Sequence, residues 1–517
     1  MIQTDDQPLE QFGRSWTDLY GRQRPIMPNT TRLIRDKGVD FRQYVTPFPL
    51  CAPSRASLFS GQYAQNHGVV RIGGPRGGWE GYRSNRIHDE NVAVWMQRAG
   101  YRTSHFGKFM NFYGGLDDPP ETEVPPGWDH WVSDATDNST REFYGYQQNI
   151  NGSITPRMGY PWYDQIGDTK DPAACPSLGL TRCDYHSDSM SVQAAEHIRQ
   201  SGNQPFYLQI DYHTPHGDSR PPAGPEPAVR HYDSAIKTPG PRPPGYNEAD
   251  VSDKPWFLRY DTPRLTTGEV NQLATEHRKA IEALRSVDDG VKRIIDTLRS
   301  TGKLKNTYVI FTSDNGFFLG QHRIHRGKLL PYEPALRVPM VIRGPGIKPK
   351  TVSREIVANQ DIAPTVLALA GARAGSRLDG RSMAPFWKKP KRKSRRPILL
   401  SSYQAATHLI PGDYPDDPVV VAGTSGKGPQ GARTSAKAST QNYVGIRVGP
   451  YKYVEYEAGE GELYILRNDP HELHNRFGEP RVERIQRYLA RQLKKLRGCS
   501  GAGCRAPVPP WPKPPRK

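Results

Sequence analysis

The sequence predicts an α/β protein: a large, mostly parallel sheet flanked by helices, followed by a smaller C-terminal antiparallel sheet with a helix. Strand-like apolar runs alternate with helical patterns, as at 206–210, 267–300 and 308–312. Two segments of alternating polarity flank Gly449-Pro450, which is typical of a β-hairpin. Residues 482–497 then have the spacing of an amphipathic helix.

The longest predicted helix covers residues 267–300. Its apolar residues recur every three or four positions, at Ile281, Leu284, Val287, Val291, Ile294, Ile295 and Leu298. This spacing places the apolar side chains on one face, so we expect that face to be buried.

A basic, proline-containing run at about 386–397 separates two regions of different patterning. We therefore expect an α/β domain at 1–386 and an antiparallel subdomain at 397–498. Residues 499–517 should form a cysteine loop and a Pro-rich basic tail.

The chain of 517 residues carries a formal net charge of +18, which favours anionic partners. Part of the excess is local, in the runs 388–396 and 513–517, and such runs are more typical of solvated linkers and tails. Neither zinc-ligand spacing nor a nucleic-acid-binding motif accompanies the charge, so we expect no nucleic-acid partner. There is also no run of about 18 apolar residues, so we expect no membrane span.

The five cysteines are Cys51, Cys175, Cys183, Cys499 and Cys504. The spacings of the 175/183 and 499/504 pairs suit local disulfides, which form in an oxidising compartment. Cys51 is then unpaired. The alternative is a cytosolic enzyme with five reduced cysteines.

The chain begins Met1-Ile2-Gln3-Thr4 and has no signal-peptide pattern before the acidic pair Asp5-Asp6. The stretch ahead of Asp5 resembles the last residues of a buried strand, but its two apolar positions are too few for a strand of typical length, about 5–6 residues. We therefore expect a truncated start and a poorly supported acidic pair.

The strongest local signal is the stretch from Leu50 to Gly61, a loop of small residues that leads into a predicted helix N-terminus. It places the thiol of Cys51 near the guanidinium of Arg55, where helix amides favour anions. Two interpretations of Cys51 remain open at this point. It could be a low-pKa thiolate nucleophile or a small buried apolar side chain.

Two acidic pairs follow apolar runs: Asp5 with Asp6, and Asp314 with Asn315. Because the carboxyl ends of parallel strands meet at one rim of a sheet, we expect these four side chains to converge. Their oxygen donors suit Ca²⁺ or Mg²⁺ better than zinc. Either pair alone would be more typical of a helix cap or a turn.

Two lysines and two histidines should end near the same rim: Lys108, Lys328, His213 and His216. Each alone is more often solvated or structural. Together with Arg55 and a divalent cation they suit a tetrahedral oxyanion, so we expect a sulfate or phosphate headgroup.

The stretch Cys51-Ala52-Pro53-Ser54-Arg55 resembles the Cys-X-Pro-Ser-Arg signature of type I sulfatases, in the alkaline phosphatase superfamily. The similarity runs from residue 2 to about 475. Further matching segments are Thr4 to Gln7, Asn66 to Gly68, Gly107-Lys108, His213 to His216, Ser313 to Gly316, Lys328, Tyr332-Glu333, Arg337 to Pro339, Gly344 to Gly346, Asp361 to Thr365, Glu462 to Tyr464 and Asp469-Pro470. Residues 107–113 and 286–289 look most similar to the N-acetylglucosamine-6-sulfatase and bacterial arylsulfatase branch.

The resemblance implies an alkaline-phosphatase-like fold with a large mixed sheet, and a sulfuric ester hydrolase activity. A formylglycine-generating enzyme would oxidise Cys51 to formylglycine, whose hydrated form attacks sulfur and later expels sulfate. A cation, Ca²⁺ or Mg²⁺, would be bound at a site whose residues are Asp5, Asp6, Cys51, Asp314 and Asn315.

The resemblance also implies roles for the cationic residues. Arg55 and the metal would hold the nucleophile deprotonated, Lys108 and Lys328 would neutralise sulfate oxygens, and His216 or Lys328 would protonate the leaving oxygen. His213 would be a weaker contact. The implied partner is a sulfated small molecule or saccharide, and the implied location is secreted or extracytoplasmic.

One position departs from the family pattern. Met110 occupies the place where many members have a histidine, and Asn111 is a spatial candidate for that role. Two other functions share these features: hydrolysis of phosphate or phosphonate esters on the same fold, and non-catalytic binding of sulfated polymers.

Overall fold

The structure is a computed structural model that describes residues 1–18, 20–115, 122–135, 143–155, 185–217, 224–232, 240, 242–403 and 442–514. The strands are β1 (Ile2–Thr4), β2 (Ser15–Thr17), β3 (Gln23–Pro25), β4 (Val39–Val45), β5 (Arg102–Gly107), β6 (His130–Asp134), β7 (Gln148–Ile150), β8 (Ser153–Ile154), β9 (Phe206–Asp211), β10 (Val309–Ser313), β11 (Met340–Arg343), β12 (Thr351–Ala358), β13 (Ile398–Ser402), β14 (Tyr443–Val448), β15 (Tyr451–Tyr456) and β16 (Gly461–Ile465).

The helices are α1 (Pro28–Leu33), α2 (Cys51–Ser60), α3 (Ala64–His67), α4 (Gly78–Arg83), α5 (Val92–Arg98), α6 (His186–Gln200), α7 (Trp256–Asp261), α8 (Thr267–Ser300), α9 (Glu333–Leu336), α10 (Ile362–Ala370), α11 (Ala384–Lys388), α12 (Glu483–Leu496) and α13 (Ala502–Arg505). None of these helices is both long enough and apolar enough to cross a membrane.

Ten strands form the main sheet, in the order β12-β4-β11-β10-β1-β9-β5-β6-β7-β8. The central strands β10, β1, β9, β5 and β6 are parallel neighbours. Within the described sheet, β7 and β11 run against the other strands. The predicted large, mixed and mostly parallel sheet is confirmed.

Strand β1 lies at the centre of this sheet, so the expectation that too few residues precede Asp5 to form a strand is wrong. Thr4 pairs with Ser313 of β10, and Gln3 pairs with Asp211 of β9. Three residues are enough because a parallel neighbour on each side satisfies the backbone hydrogen bonds of this buried segment. The acidic pair therefore follows a strand that is held on both edges.

Helix α8 begins and ends at the predicted residues. A capping box fixes its start, in which the Thr266 hydroxyl accepts from the Glu269 N–H and the Glu269 carboxylate accepts from the Thr266 N–H. The buried face packs with α6 and α1 on one side of the sheet, in a cluster that includes Leu284 and Phe311. Helices α2, α5 and α10 contact one another in the cluster on the other side.

The second sheet is antiparallel, in the order β13-β14-β15-β16, and α12 packs against it. Strands β14 and β15 form the predicted hairpin, with Val448 opposite Tyr451 across Gly449-Pro450. Cys499 and Cys504 form the predicted disulfide, whereas Cys175 and Cys183 lie outside the described residues. The division into 1–386, 397–498 and 499–517 stays a prediction.

Candidate active site

Four neighbouring parallel strands end at one rim of the main sheet, and each is followed by predicted site residues. They deliver Asp314 and Asn315 after β10, Asp5 and Asp6 after β1, His213 and His216 after β9, and Lys108 after β5. A cavity of about 590 Å³ lies at the opposite end of these strands, where its lining includes Phe206 and Val309. The charged cluster and this cavity are therefore separate features.

Cys51 is the first residue of α2, so the predicted helix starts at the cysteine and not after it. Leu50 precedes it in an extended conformation, and Pro53 fits the first turn because its missing N–H would have no partner there. The helix ends at Ser60 and is followed by Gly61, whose φ of 68° is typical of a glycine C-cap. Every residue of α2 is buried, which fixes the Cys51 side chain at the rim.

Arg55 links three of the strand ends. Its Nε donates to Asp314 Oδ2 at 2.9 Å, its Nη2 to Asp5 Oδ2 at 3.2 Å and its Nη1 to the Lys108 carbonyl at 2.8 Å. The guanidinium has no exposed surface, so these charge-assisted bonds form away from water. Arg55 thus holds α2 against β1, β5 and β10.

Two ammonium groups contact the acidic residues and the thiol. Lys108 Nζ lies 2.5 Å from Asp5 Oδ2. Lys328 Nζ lies 2.8 Å from Asp6 Oδ1 and 2.9 Å from Cys51 Sγ. Burial opposes ionisation of Asp5, but the nearby cations, Lys108 foremost, outweigh it and hold the pKa of Asp5 well below its ordinary value.

The thiol of Cys51 behaves differently from a reactive thiolate. Burial, reinforced by the Asp5 carboxylate 3.4 Å from Sγ, raises the pKa of Cys51 well above its ordinary value. In this arrangement the unmodified side chain is a protonated thiol, which is a poor nucleophile.

The acidic residues have the composition of a site for a hard divalent cation. Carboxylate oxygens of Asp5, Asp6 and Asp314 lie within 4.8 Å of one another. Asn315 Oδ1 is buried and has no hydrogen-bond partner among the described residues. Burial and the Asp5 charge raise the pKa of Asp314 to about 6, and a bound cation would relieve this repulsion. These oxygen donors fit Ca²⁺ or Mg²⁺.

The two histidines occupy different positions. His216 Nε2 lies 3.7 Å from Asp6 Oδ2, and its Nδ1 lies 2.9 Å from the Gly217 carbonyl oxygen. His213 is fully buried, and within the described residues neither of its ring nitrogens has a hydrogen-bond partner. Its ring centroid is 5.1 Å from that of His216. The structure therefore brings His216 to the acidic cluster and places His213 beside it.

Two further residues support the site. Ser54 Oγ donates to the Asp314 carbonyl oxygen, and Asn359 Nδ2 donates to Ser54 Oγ at 2.8 Å. Ser54 belongs to the Cys-X-Pro-Ser-Arg stretch, but its sequence position did not indicate this contact, and Asn359 has no local pattern that could have indicated a role. Met110 is fully buried, and the buried Asn111 Oδ1 has no partner within the described ranges.

The sequence matches a known family over most of its length. The family model named Sulfatase matches residues 9–372. The chain belongs to the sulfatase family. The predicted family and α/β fold are thereby confirmed.

Several curated sulfatases resemble this one. It is 32% identical over 426 residues to a putative extracellular sulfatase Sulf-1 homolog of Caenorhabditis elegans, covering 80% of this chain and 52% of that protein. It is 30% identical over 502 residues to the N-acetylglucosamine-6-sulfatase of Capra hircus, covering 95% of this chain and 83% of that one. The chain spans about half the length of the nematode relative, and 31% of an extracellular sulfatase SULF-1 homolog of Drosophila melanogaster.

Solved structures share the fold of this sulfatase at low sequence identity. One, a complex with its substrate D-glucosamine-2-N,6-O-disulfate, has a TM-score of 0.66 and 20% identity, covering 96% of both chains. The phosphonate monoester hydrolase of Agrobacterium radiobacter has a TM-score of 0.65 and 21% identity, covering 96% of this chain and 94% of that one. These likenesses concern the fold alone.

Proposed function

We propose that this chain hydrolyses sulfate esters with a nucleophile made from Cys51. One observation carries the proposal: Cys51, within the Cys-Ala-Pro-Ser-Arg signature, begins α2 beside Lys328 and Asp5. The surrounding charges suit a tetrahedral anion such as a sulfate ester, because the buried cations Lys108 and Lys328 lie next to an acidic cluster that would hold a divalent cation.

We infer two maturation steps before turnover. A formylglycine-generating enzyme would convert Cys51 to formylglycine, which in hydrated form supplies a hydroxyl nucleophile and a second hydroxyl for releasing sulfate. Ca²⁺ or Mg²⁺ would bind between Asp5, Asp6, Asp314, Asn315 and residue 51, where it supplies Lewis acidity. Family membership and the donor set support both steps.

The chain's own residues would bind sulfate and deliver a proton. Arg55, held by Asp5 and Asp314, would favour the deprotonated nucleophile at residue 51. Lys108 and Lys328 would neutralise sulfate oxygens as charge develops on them. When the His216 ring is protonated, Nδ1 donates to the Gly217 carbonyl and Nε2 holds the proton for the leaving oxygen. His213 would act only as a neighbour of His216.

A sulfated saccharide is the substrate class that we favour. The goat relative is named an N-acetylglucosamine-6-sulfatase, and the structural neighbour cited above binds a sulfated glucosamine. The net charge of +18 would attract such polyanions. We also propose an extracytoplasmic location, which the Cys499–Cys504 disulfide and the extracellular relatives support.

The proposal is tested by side-by-side assays on one leaving group. The protein, co-expressed with a formylglycine-generating enzyme, is given 4-nitrophenyl sulfate and 4-nitrophenyl phosphate, with Cys51→Ala as the control. We expect the protein to hydrolyse the sulfate ester, whereas the Cys51→Ala control should not. A clear preference for the phosphate ester, or equal turnover by Cys51→Ala, would refute the proposal. Assays with N-acetylglucosamine 6-sulfate and other sulfated sugars then identify the alcohol part of the substrate.

A further inference from the structure

We propose that the C-terminal sheet positions Lys328, with Tyr443 as the main positioning residue. The inference rests on the proposed function, in which the Lys328 ammonium faces the sulfate group. The Lys328 side chain reaches from its backbone to Asp6 and Cys51, so a shift of that backbone would change where Nζ can lie.

The backbone directly after Lys328 is strained. Leu329 has a φ of 80°, a left-handed conformation that is unfavourable for a residue with a Cβ. Such a conformation persists where the surroundings hold it. Here the Leu329 N–H donates to the Pro49 carbonyl at 3.0 Å, and its side chain packs in a cluster with Phe48 and Cys51.

The second sheet holds the other side of this segment. Tyr443, on β14, donates its hydroxyl to the Leu329 carbonyl at 2.9 Å. Lys452, on β15, donates Nζ to the Pro331 carbonyl. Glu462, on β16, accepts from the Tyr332 hydroxyl at 2.6 Å. Three adjacent strands thus each bind one residue of 329–332.

The restraint continues into α9. The Glu333 N–H donates to Glu472 Oε2 at 2.8 Å, and Arg447 Nη1 donates to Glu333 Oε1 at 2.5 Å. These groups are buried, so water does not readily replace a lost bond. The segment from Leu329 to Glu333 is therefore fixed by residues more than 110 positions later in the chain.

Through this segment the C-terminal sheet would affect catalysis by fixing the backbone next to Lys328. A shift of about 1 Å in a reacting group can lower turnover about a hundredfold. Loss of one anchor should have a smaller effect, because Pro49 and the other strands still hold the segment.

The test compares two tyrosines of the same sheet. Tyr443→Phe removes the hydroxyl bonded to Leu329, whereas Tyr451→Phe removes the hydroxyl of another buried tyrosine side chain, which donates to the Pro512 carbonyl at 2.7 Å in a partly buried bond. On 4-nitrophenyl sulfate, we expect Tyr443→Phe to lower kcat about tenfold and to change KM less than about twofold. Tyr451→Phe should change kcat less than about twofold. Equal kcat values in the two variants would overturn the inference.

A double-mutant cycle separates positioning from general destabilisation. If Tyr443 acts through Lys328, Tyr443→Phe lowers kcat in the wild-type background but not in Lys328→Ala. The same factor in both backgrounds would contradict the inference. A wild-type protein inactive on every sulfate ester would instead contradict the proposed function.

A second pair decides the question if Tyr443→Phe does not fold or Lys328→Ala has no measurable turnover. Tyr332 and Tyr464 both donate to Glu462 Oε1, at 2.6 and 2.5 Å, but only Tyr332 lies in the Lys328 segment. We expect Tyr332→Phe, and not Tyr464→Phe, to lower kcat with unchanged KM. Equal loss in both would overturn the inference.

Discussion

The Nζ of Lys328 lies 2.9 Å from the Sγ of Cys51, although 277 positions separate the two residues in sequence. The contact brings a cation to the side chain from which the proposed nucleophile is made. Because Asp6 also contacts this ammonium, charge is balanced locally before any substrate binds. The protein alone thus places this ammonium beside residue 51.

Removing the Arg55 charge should destabilise the fold as well as abolish activity. Arg55→Met keeps the apolar stem but leaves the buried Asp5 and Asp314 without their shared guanidinium. Breaking a buried pair typically costs about 3–5 kcal/mol. Urea unfolding measures the loss, and Arg199→Ala, which removes an exposed ion pair with Glu196, is the control with only a slight effect. Similar losses in both would count against the Arg55 network.

A divalent cation should stabilise the folded chain. Since Asp5, Asp6 and Asp314 already converge, cation binding costs little rearrangement. A ligand at about a hundred times its Kd contributes about 2.7 kcal/mol. Thermal unfolding with CaCl₂ and with EDTA should show a higher Tm with calcium.

Two substitutions locate that effect. Asp6→Asn should reduce the calcium-dependent shift in Tm, because it removes one carboxylate charge from the cluster. Asp296→Asn, on the exposed side of α8, should leave the shift unchanged. A shift that survives Asp6→Asn in full would place the cation elsewhere.

His67 should make the folded protein less stable as the pH falls below neutral. Its Nδ1 accepts from the Val69 N–H, so the neutral ring donates from Nε2 to Ser57 on α2. Burial lowers the pKa of His67 from 6.5 to about 3. The unfolded state therefore binds a proton below pH 6.5 that the folded state binds only near pH 3, and stability falls as pH falls through this window.

In this pH range the unfolded state should bind one more proton at His67 than the folded state does. The free energy of unfolding should therefore fall by about 1.4 kcal/mol for each unit by which the pH falls. Urea unfolding of wild type and His67→Asn between pH 6.5 and 4 measures it. The variant should be less stable at neutral pH but should have a shallower slope. Parallel slopes would show that His67 is not the acid-sensitive group.

Local signals predicted much of the fold. Helix α8 could be predicted because its apolar periodicity is long, and the structure shows that a capping box of Thr266 and Glu269 fixes its start. The sequence indicated the end of a strand before Asp5, but it could not show that three residues are enough, because they depend on β9 and β10 for their hydrogen bonds. Only the folded sheet supplies that pairing.

The same contrast holds at the site. Asp5, Asp6, Asp314 and Asn315 could be grouped because each pair follows an apolar run, and parallel strands end at one rim. Tyr443 could not be connected with Lys328, since a tyrosine in a hairpin carries no sign of the distant carbonyl that it binds. Contacts of this kind are set by packing between the two sheets.

Mass spectrometry of the peptide containing residue 51 tests the central claim most directly. We expect the peptide from active protein, co-expressed with a formylglycine-generating enzyme, to carry the mass of formylglycine in proportion to specific activity on a sulfate ester. Fully active protein whose peptide retains an unmodified cysteine would contradict the account.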